Sequence, residues 1–194
     1  SEYKPKILIT EYTIGKYFGL ALVEKHDEIY DSLSRISIMV TKETSDTAVA
    51  EAAEEQLDAY IVKPFSMLDF KNRLLEVIKR KMYPSQYLEK IREGKTFLKN
   101  NQIDDAISVF TEAKGMAPKP TLACYYLGEC FVNQKNHSLA KVQFKEGRTY
   151  NEIHYKCLIG EFDSLMYECN YREAYGLVKV IQQNYPVTSA RLGK

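Results

Sequence analysis

Charge of a single sign is missing from this chain of 194 residues: 27 Lys and Arg stand against 26 Asp and Glu. That balance removes the bulk electrostatic case for a nucleic-acid partner or an anionic membrane surface. Long apolar runs are missing as well. No stretch approaches the roughly 18 residues of a membrane span, and nothing near the start reads as a secretory leader, so the cytoplasm is the expected location. Cysteine is scarce, and its four positions, Cys124, Cys130, Cys157 and Cys169, include no C-x-x-C pair and no zinc-like spacing to histidine. They read as reduced thiols acting as small core residues, and no metal is expected. His26, His137 and His154 have no cysteine or serine arranged for nucleophilic catalysis, and Gly15 and Gly19 make no phosphate-cradling motif. No catalytic residue and no cofactor are therefore expected. An initial methionine is also absent, the first residue being Ser1, which suggests a fragment.

What is present is ordinary in amount and regular in arrangement. The chain is 45% hydrophobic and 27% charged, values typical of globular domains, and its length allows one large domain or two small ones. In the second half, residues recur at a spacing of 34: Ala106, Ala140 and Ala174 fall in one register. Gly94 pairs with Gly128, Phe97 and Phe131 with Leu165, Phe110 and Phe144 with Val178, and Pro118 with Pro186. A small residue where two helix axes cross, large apolar residues filling the gap and a proline ending the second helix describe a helical hairpin. The expected helices span about 87–98 and a stretch through Ala106 and Phe110 that stops at Ala117, then 121–132 with 138–150, and 153–167 with 171–184. The third hairpin departs most, with Phe162 where glycine is expected.

This pattern resembles the tetratricopeptide (TPR) repeat, whose units leave an apolar face uncovered and gain stability by stacking. The resemblance implies a concave groove lined by the first helix of each hairpin, with a protein or peptide partner bound in it. Its lining would be Leu88, Ile91 and Lys95, then Tyr125, Glu129 and Asn133, then Lys156, Ile159 and Asp163. The Lys/Asn clamp by which chaperone-binding members hold a terminal carboxylate is not made, since its places hold Ile91, Lys95, Tyr125 and Glu129.

The front of the chain alternates differently. Ile7–Thr10, Ile36–Thr41 and Ala59–Val62 read as short buried strands, separated by helical stretches at 19–30 and 46–55 and followed by one at 67–81. Such alternation predicts a parallel sheet with helices on its faces. The run Tyr60-Ile61-Val62-Lys63-Pro64-Phe65 is similar to the end of the fifth strand in response-regulator receiver domains. There the lysine contacts a phosphoryl group and the bond to proline is usually cis. Thr41, closing Ile38-Met39-Val40-Thr41, matches the hydroxyl that reports phosphorylation, and Tyr60 matches the aromatic that responds to it. The resemblance implies an α/β fold, a partial flavodoxin-like receiver over 1–82, then an all-α TPR array over 83–186 and a tail over 187–194.

Departures from the family pattern bear on function. The phosphoacceptor aspartate is replaced by Glu11 in Leu8-Ile9-Thr10-Glu11-Tyr12-Thr13, with Gly19-Leu20 at the family's distance. An added methylene advances the carboxylate by about 1.5 Å, which spoils in-line phosphoryl transfer, and fixes a negative charge near Lys63 and Thr41. The family's first two strands and their magnesium-binding acidic pair would precede Ser1. Without that neighbour, Ile7–Thr10 would be an uncovered apolar edge, and a homo-oligomer or another chain is expected to cover it. The resulting expectation is a non-enzymatic signalling adaptor whose partners are a peptide or protein in the groove, a sensor kinase or another signalling protein. The alternative is a phosphorylatable response regulator completed by upstream residues. A DNA-binding output is disfavoured, because no helix-turn-helix or basic face is readable. Lys79-Arg80-Lys81 reads as complementing a helix dipole, and Glu51, Glu54 and Glu55 as a solvated helix face.

Overall fold

The computed structural model describes residues 5–30, 34–45, 48–49, 52 and 57–185. Two compact units divide the chain at Pro84 and Ser85. The first is α/β and the second is a helical array.

In the first unit, β1 (Ile7–Thr10), β4 (Ile36–Thr41) and β5 (Ala59–Val62) form a parallel sheet in the order β1-β4-β5. The expected strands have these bounds. Strand β4 is central, and its apolar run Ile38-Met39-Val40 suits burial on both faces; Ile38 and Met39 are fully buried. A short antiparallel hairpin, β2 (Thr13–Ile14) and β3 (Tyr17–Phe18), was not expected from the sequence. Its two-residue turn begins at Gly15, whose φ of +60° favours glycine. Helix α1 (Leu20–Ile29) follows, burying Val23 and His26. Ala48, Val49 and Ala52 are helical, as expected of 46–55; Glu51, Glu54 and Glu55 lie outside the described residues. Helix α2 (Met67–Met82) starts at a capping box in which Ser66 and Asp69 satisfy each other's backbone N–H groups.

A buried ionic cluster holds the amino-terminal end of this sheet. Arg35 is 2% exposed; its guanidinium donates to Ser37 Oγ at 2.9 Å and to Asp27 at 2.5 Å. Asp58 accepts from the Ser37 backbone N–H at 2.9 Å and pairs with Lys81 at 2.7 Å. His26 donates from Nε2 to the Pro5 carbonyl at 2.8 Å, which leaves Nδ1 to the Ser37 hydroxyl at 2.9 Å. His26 is thus a buried packing residue with both ring nitrogens hydrogen-bonded, and one sequence expectation changes here. Lys81 and Arg80 do more than complement a helix dipole: Lys81 is drawn inward to Asp58, and Arg80 donates to the Asp58 carbonyl at 2.7 Å.

The second unit stacks three hairpins: α3 (Gln86–Lys99) with α4 (Ile103–Met116), α5 (Thr121–Asn133) with α6 (His137–Tyr150), and α7 (Tyr155–Tyr167) with α8 (Tyr171–Asn184). The 34-residue register is physical. Ala106, Ala140 and Ala174 are all buried, and each hairpin turns through a left-handed residue, Asn101, Lys135 and Cys169, in the same register. After each of these, a backbone N–H closes on the preceding helix: Gln102 on Phe97, Asn136 on Phe131, Asn170 on Leu165, at 2.8–2.9 Å. Phe110 and Phe144 are fully buried. Gly94 lies flush on Phe110, and Gly128 on Phe144, so close that a Cβ would stand 2.5 and 2.4 Å from the ring. The glycine missing at position 162 has a counterpart in Gly160, whose added Cβ would meet the Phe144 ring at 2.6 Å. Cys124, Cys130 and Cys157 are buried free thiols; Cys169 is free and exposed. Pro186 and 187–194 lie outside the described residues. Among the described residues, no helix is long and apolar enough to cross a membrane.

Candidate functional site

Parallel strands bring their carboxyl ends to one edge, and three predicted residues meet there. Glu11 follows β1, Thr41 ends β4 and Lys63 follows β5. The Lys63 ammonium pairs with Glu11 Oε1 at 3.0 Å across the end of the central strand. Side chains of Lys63 and Glu11 are 34% and 46% exposed, so the pair stabilises the fold by no more than about 1 kcal/mol. Its consequence is chemical. The cation expected to receive a phosphoryl group already has a carboxylate as partner.

Gly19 fixes where Glu11 stands. Its N–H donates to the Tyr12 carbonyl at 2.8 Å. A Cβ on Gly19 would lie 1.9 Å from the Glu11 carbonyl oxygen, so only glycine lets the start of α1 pass this close to the strand end.

Thr41 and Tyr60 converge on Glu43 rather than on Lys63. Buried Thr41 accepts the Glu43 backbone N–H at its Oγ1 (3.0 Å), and the Tyr60 hydroxyl donates to the Glu43 carbonyl at 2.8 Å. Burial, with help from the nearby Glu43 charge, pushes the Tyr60 phenol above its ordinary value, so it remains a donor at neutral pH. Hydrogen bonds from Ser45 hold Glu43 below the usual carboxylate range. The Lys63–Pro64 bond is cis. Among the described residues, no group of three or more His, Cys, Asp and Glu side chains is arranged to hold a metal.

Predicted groove residues lie on α3, α5 and α7, the first helices of the hairpins. Helix α5 packs against both α3 and α7, whereas the second helices make no comparable contact with one another. The first helices therefore line the inner side of the stack. Eight of the nine predicted residues are at least partly exposed: Leu88, Lys95, Tyr125, Glu129, Asn133, Lys156, Ile159 and Asp163. Ile91 is not. It is 6% exposed within the core cluster of Phe110, Tyr126 and Leu127, so it is a packing residue and not available to a partner.

The electrostatics of this face are uneven. Lys95 lies over the Tyr126 ring, 5.6 Å from its centroid. Tyr125 packs among Tyr126, Phe144 and His154, and burial raises its phenol strongly. Glu129 is pushed up by burial, opposed by Lys156 and reinforced by the Asp163 charge. Burial also raises Asp163, while burial and then Lys156 lower His154. His154 was not predicted to matter; its Nδ1 accepts the Cys157 N–H and caps α7.

The chain matches no protein-family model, and no curated protein matches it.

Two functional features escaped sequence reasoning. The hairpin beside Glu11 had a readable signal in Thr13-Ile14-Gly15-Lys16-Tyr17-Phe18, a two-residue glycine turn between β-formers. Glu43 had none, because its backbone makes the contacts.

Proposed function

We propose that the chain is a non-catalytic, cytoplasmic signalling adaptor of two-component type. A pseudo-receiver joins an array of three tetratricopeptide repeats that binds a protein or peptide partner, such as a sensor kinase or another signalling protein. One observation carries the reading: the Glu11 carboxylate occupies the Lys63 ammonium at 3.0 Å, at the carboxyl edge of the parallel sheet. A phosphoryl group would have to displace that carboxylate and then form on a side chain one methylene too long for in-line attack. Thr41 and Tyr60, both bonded to Glu43, support a fixed surface.

The test is incubation of the full chain with Mg²⁺ and acetyl phosphate, followed by mass spectrometry and acid-lability analysis. No acid-labile phosphate is expected. Labelling of an acidic side chain would overturn the reading in favour of a phosphorylatable regulator.

The reading includes self-association through β1. Among the described residues that strand pairs only with β4 and leaves Ile7 and Ile9 about half exposed (50% and 49%), an apolar edge that another strand covers well. Light scattering should show concentration-dependent association that Ile9→Lys weakens. A strict monomer at high concentration would remove this part of the proposal.

A further inference from the structure

The small sheet has a second open edge. Among the described residues β5 pairs only with β4. The Asp58 N–H turns inward to the Ser37 carbonyl at 2.8 Å, so by alternation the backbone groups of Ala59 and Ile61 turn outward. A cavity of about 340 Å³ lies here, touching Asp58, Ala59 and Tyr60 in succession. Consecutive strand residues point to opposite faces, so a cavity in contact with all three runs along the edge rather than over one face. Its walls are helical, from the stretch holding Val49 and Ala52 and from Arg73, Val77 and Arg80 of α2.

Ala52 and Val77 are buried and give this cleft an apolar floor. Its charges do not all cancel. The Asp58 carboxylate is almost wholly withdrawn from water and is held by Lys81 at 2.7 Å. Arg73 and Glu76, both largely exposed, pair with each other at 3.3 Å. Arg80 is left over. Its guanidinium is 55% exposed and donates to a neutral group, the Asp58 carbonyl, at 2.7 Å. The carboxylate oxygen 4.0 Å from it is the one Lys81 already holds. An open strand edge recognises backbone, an apolar cleft beside it recognises a side chain, and an unmatched guanidinium recognises a carboxylate. An extended peptide carrying both apolar and acidic residues meets all three.

We infer that the open edge of β5 receives an extended peptide as an added strand, with an apolar side chain in the cavity against Val49, Ala52 and Val77 and an acidic side chain at Arg80. The site belongs to the first unit alone, and it stands whether or not the helical array binds a partner. It is also separate from the β1 edge, which lies at the other side of the sheet.

The test uses the full chain and fluorescein-labelled heptapeptide pools that alternate Val, Leu or Ile with Ser or Thr and carry Glu, Gln or Lys at one central position. Fluorescence anisotropy should rank them Glu over Gln over Lys. A Glu pool N-methylated at its three central amides keeps every side chain but loses those donors, and should bind about tenfold more weakly or worse. Arg80→Gln should bring the Glu pool within about twofold of the Gln pool, and Glu76→Gln should strengthen it. Val49→Lys, on a side chain already exposed, should weaken the Glu pool even though it adds a cation. Hydrogen exchange should slow in fragments covering residues 57–63 when the Glu pool binds, and stay unchanged in those covering β1. The inference is overturned if no pool binds, if the N-methylated pool binds as well as its parent, or if residues 57–63 gain no protection. Protection there that grows with protein concentration in the absence of peptide would overturn it too, giving the edge to a second copy of the chain.

Discussion

Replacing Gly19 by alanine tests the link between the local fold and the Glu11 position. The added Cβ would stand 1.9 Å from the Glu11 carbonyl oxygen and 2.8 Å from Thr10 Oγ1. An ordinary carbon–oxygen approach is about 3.3 Å, so the strand end and the start of α1 must part by about 1.4 Å. The nearest atom is backbone, and no rotamer change relieves it. Parting also stretches the Gly19 N–H bond to Tyr12, now 2.8 Å, past useful length. Overpacking of this kind costs about 1–3 kcal/mol, and the lost hydrogen bond about 1 kcal/mol more. The sum is roughly 2–4 kcal/mol, a large share of what a domain of this size has.

Hydrogen exchange read by mass spectrometry is the right assay, because a chain with two units need not unfold in one step. Exchange in peptides covering β1 and β4 should accelerate by about 30-fold or more, since each 1.4 kcal/mol is a factor of ten in the opening equilibrium. Peptides from α3 to α8 should not change. Gly15→Ala is the control. It forces a side chain onto a φ of +60°, but no atom lies within 4 Å of the new Cβ, so the cost is about 1–2 kcal/mol and centred on the hairpin turn. If Gly19→Ala leaves exchange of residues 7–19 within twofold of the parent, the close approach does not fix the strand end, and the account of Glu11 fails with it.

Three further outcomes follow from the packing. Phe144→Ala should lower the stability of the helical unit by about 3–5 kcal/mol, because the ring fills the space between Gly128 and Gly160; the urea midpoint followed at 222 nm measures it. Asp58→Ala should cost the first unit about 3–5 kcal/mol, since it removes the buried carboxylate that pairs with Lys81 and accepts the Ser37 N–H, although Arg35 keeps Asp27, whereas Arg73→Ala, on a side chain 65% exposed, should be near neutral. Glu129 is raised above its ordinary value of 4.5, so the folded chain holds that proton more tightly than the unfolded chain. Stability must then fall as pH climbs from 4.5 through the raised value; Glu129→Gln should flatten that slope and stabilise the helical unit at neutral pH, as thermal melts at several pH values would show.

How much of this was legible depended on the distance over which each contact is written. The hairpin array was legible because its determinants repeat: one buried alanine per unit, at 106, 140 and 174, fixes the phase of everything around it. Turn chemistry was less so, since the left-handed places hold Asn101, Lys135 and Cys169 and no glycine announces them. Periodicity could put Ile91 in a column with Tyr125 and Ile159. It could not tell that Ile91 sinks into the cluster around Tyr126 and Leu127. In the first unit the strands were readable as apolar runs, and Glu11 and Lys63 met as their places at two strand ends require. The cluster of His26, Asp27, Arg35, Ser37, Asp58 and Lys81 was not readable, because its members come from four separate stretches of chain and share no spacing.

The two ends of the small sheet have different physical jobs. At the amino-terminal end Arg35 and Asp58 are almost wholly withdrawn from water within one ionic cluster, so removing either disrupts buried pairs and the penalty falls on folding. At the carboxyl end Lys63 and Glu11 stay a third to a half exposed, so their pairing adds little to stability and separating them costs little. A pair that is inexpensive to break, standing where a phosphoryl group would arrive, makes a poor staple but an effective block. Glu11→Ala should therefore leave the fold intact while freeing Lys63, the opposite of what Asp58→Ala does, and that contrast separates a residue kept for shape from one kept for charge.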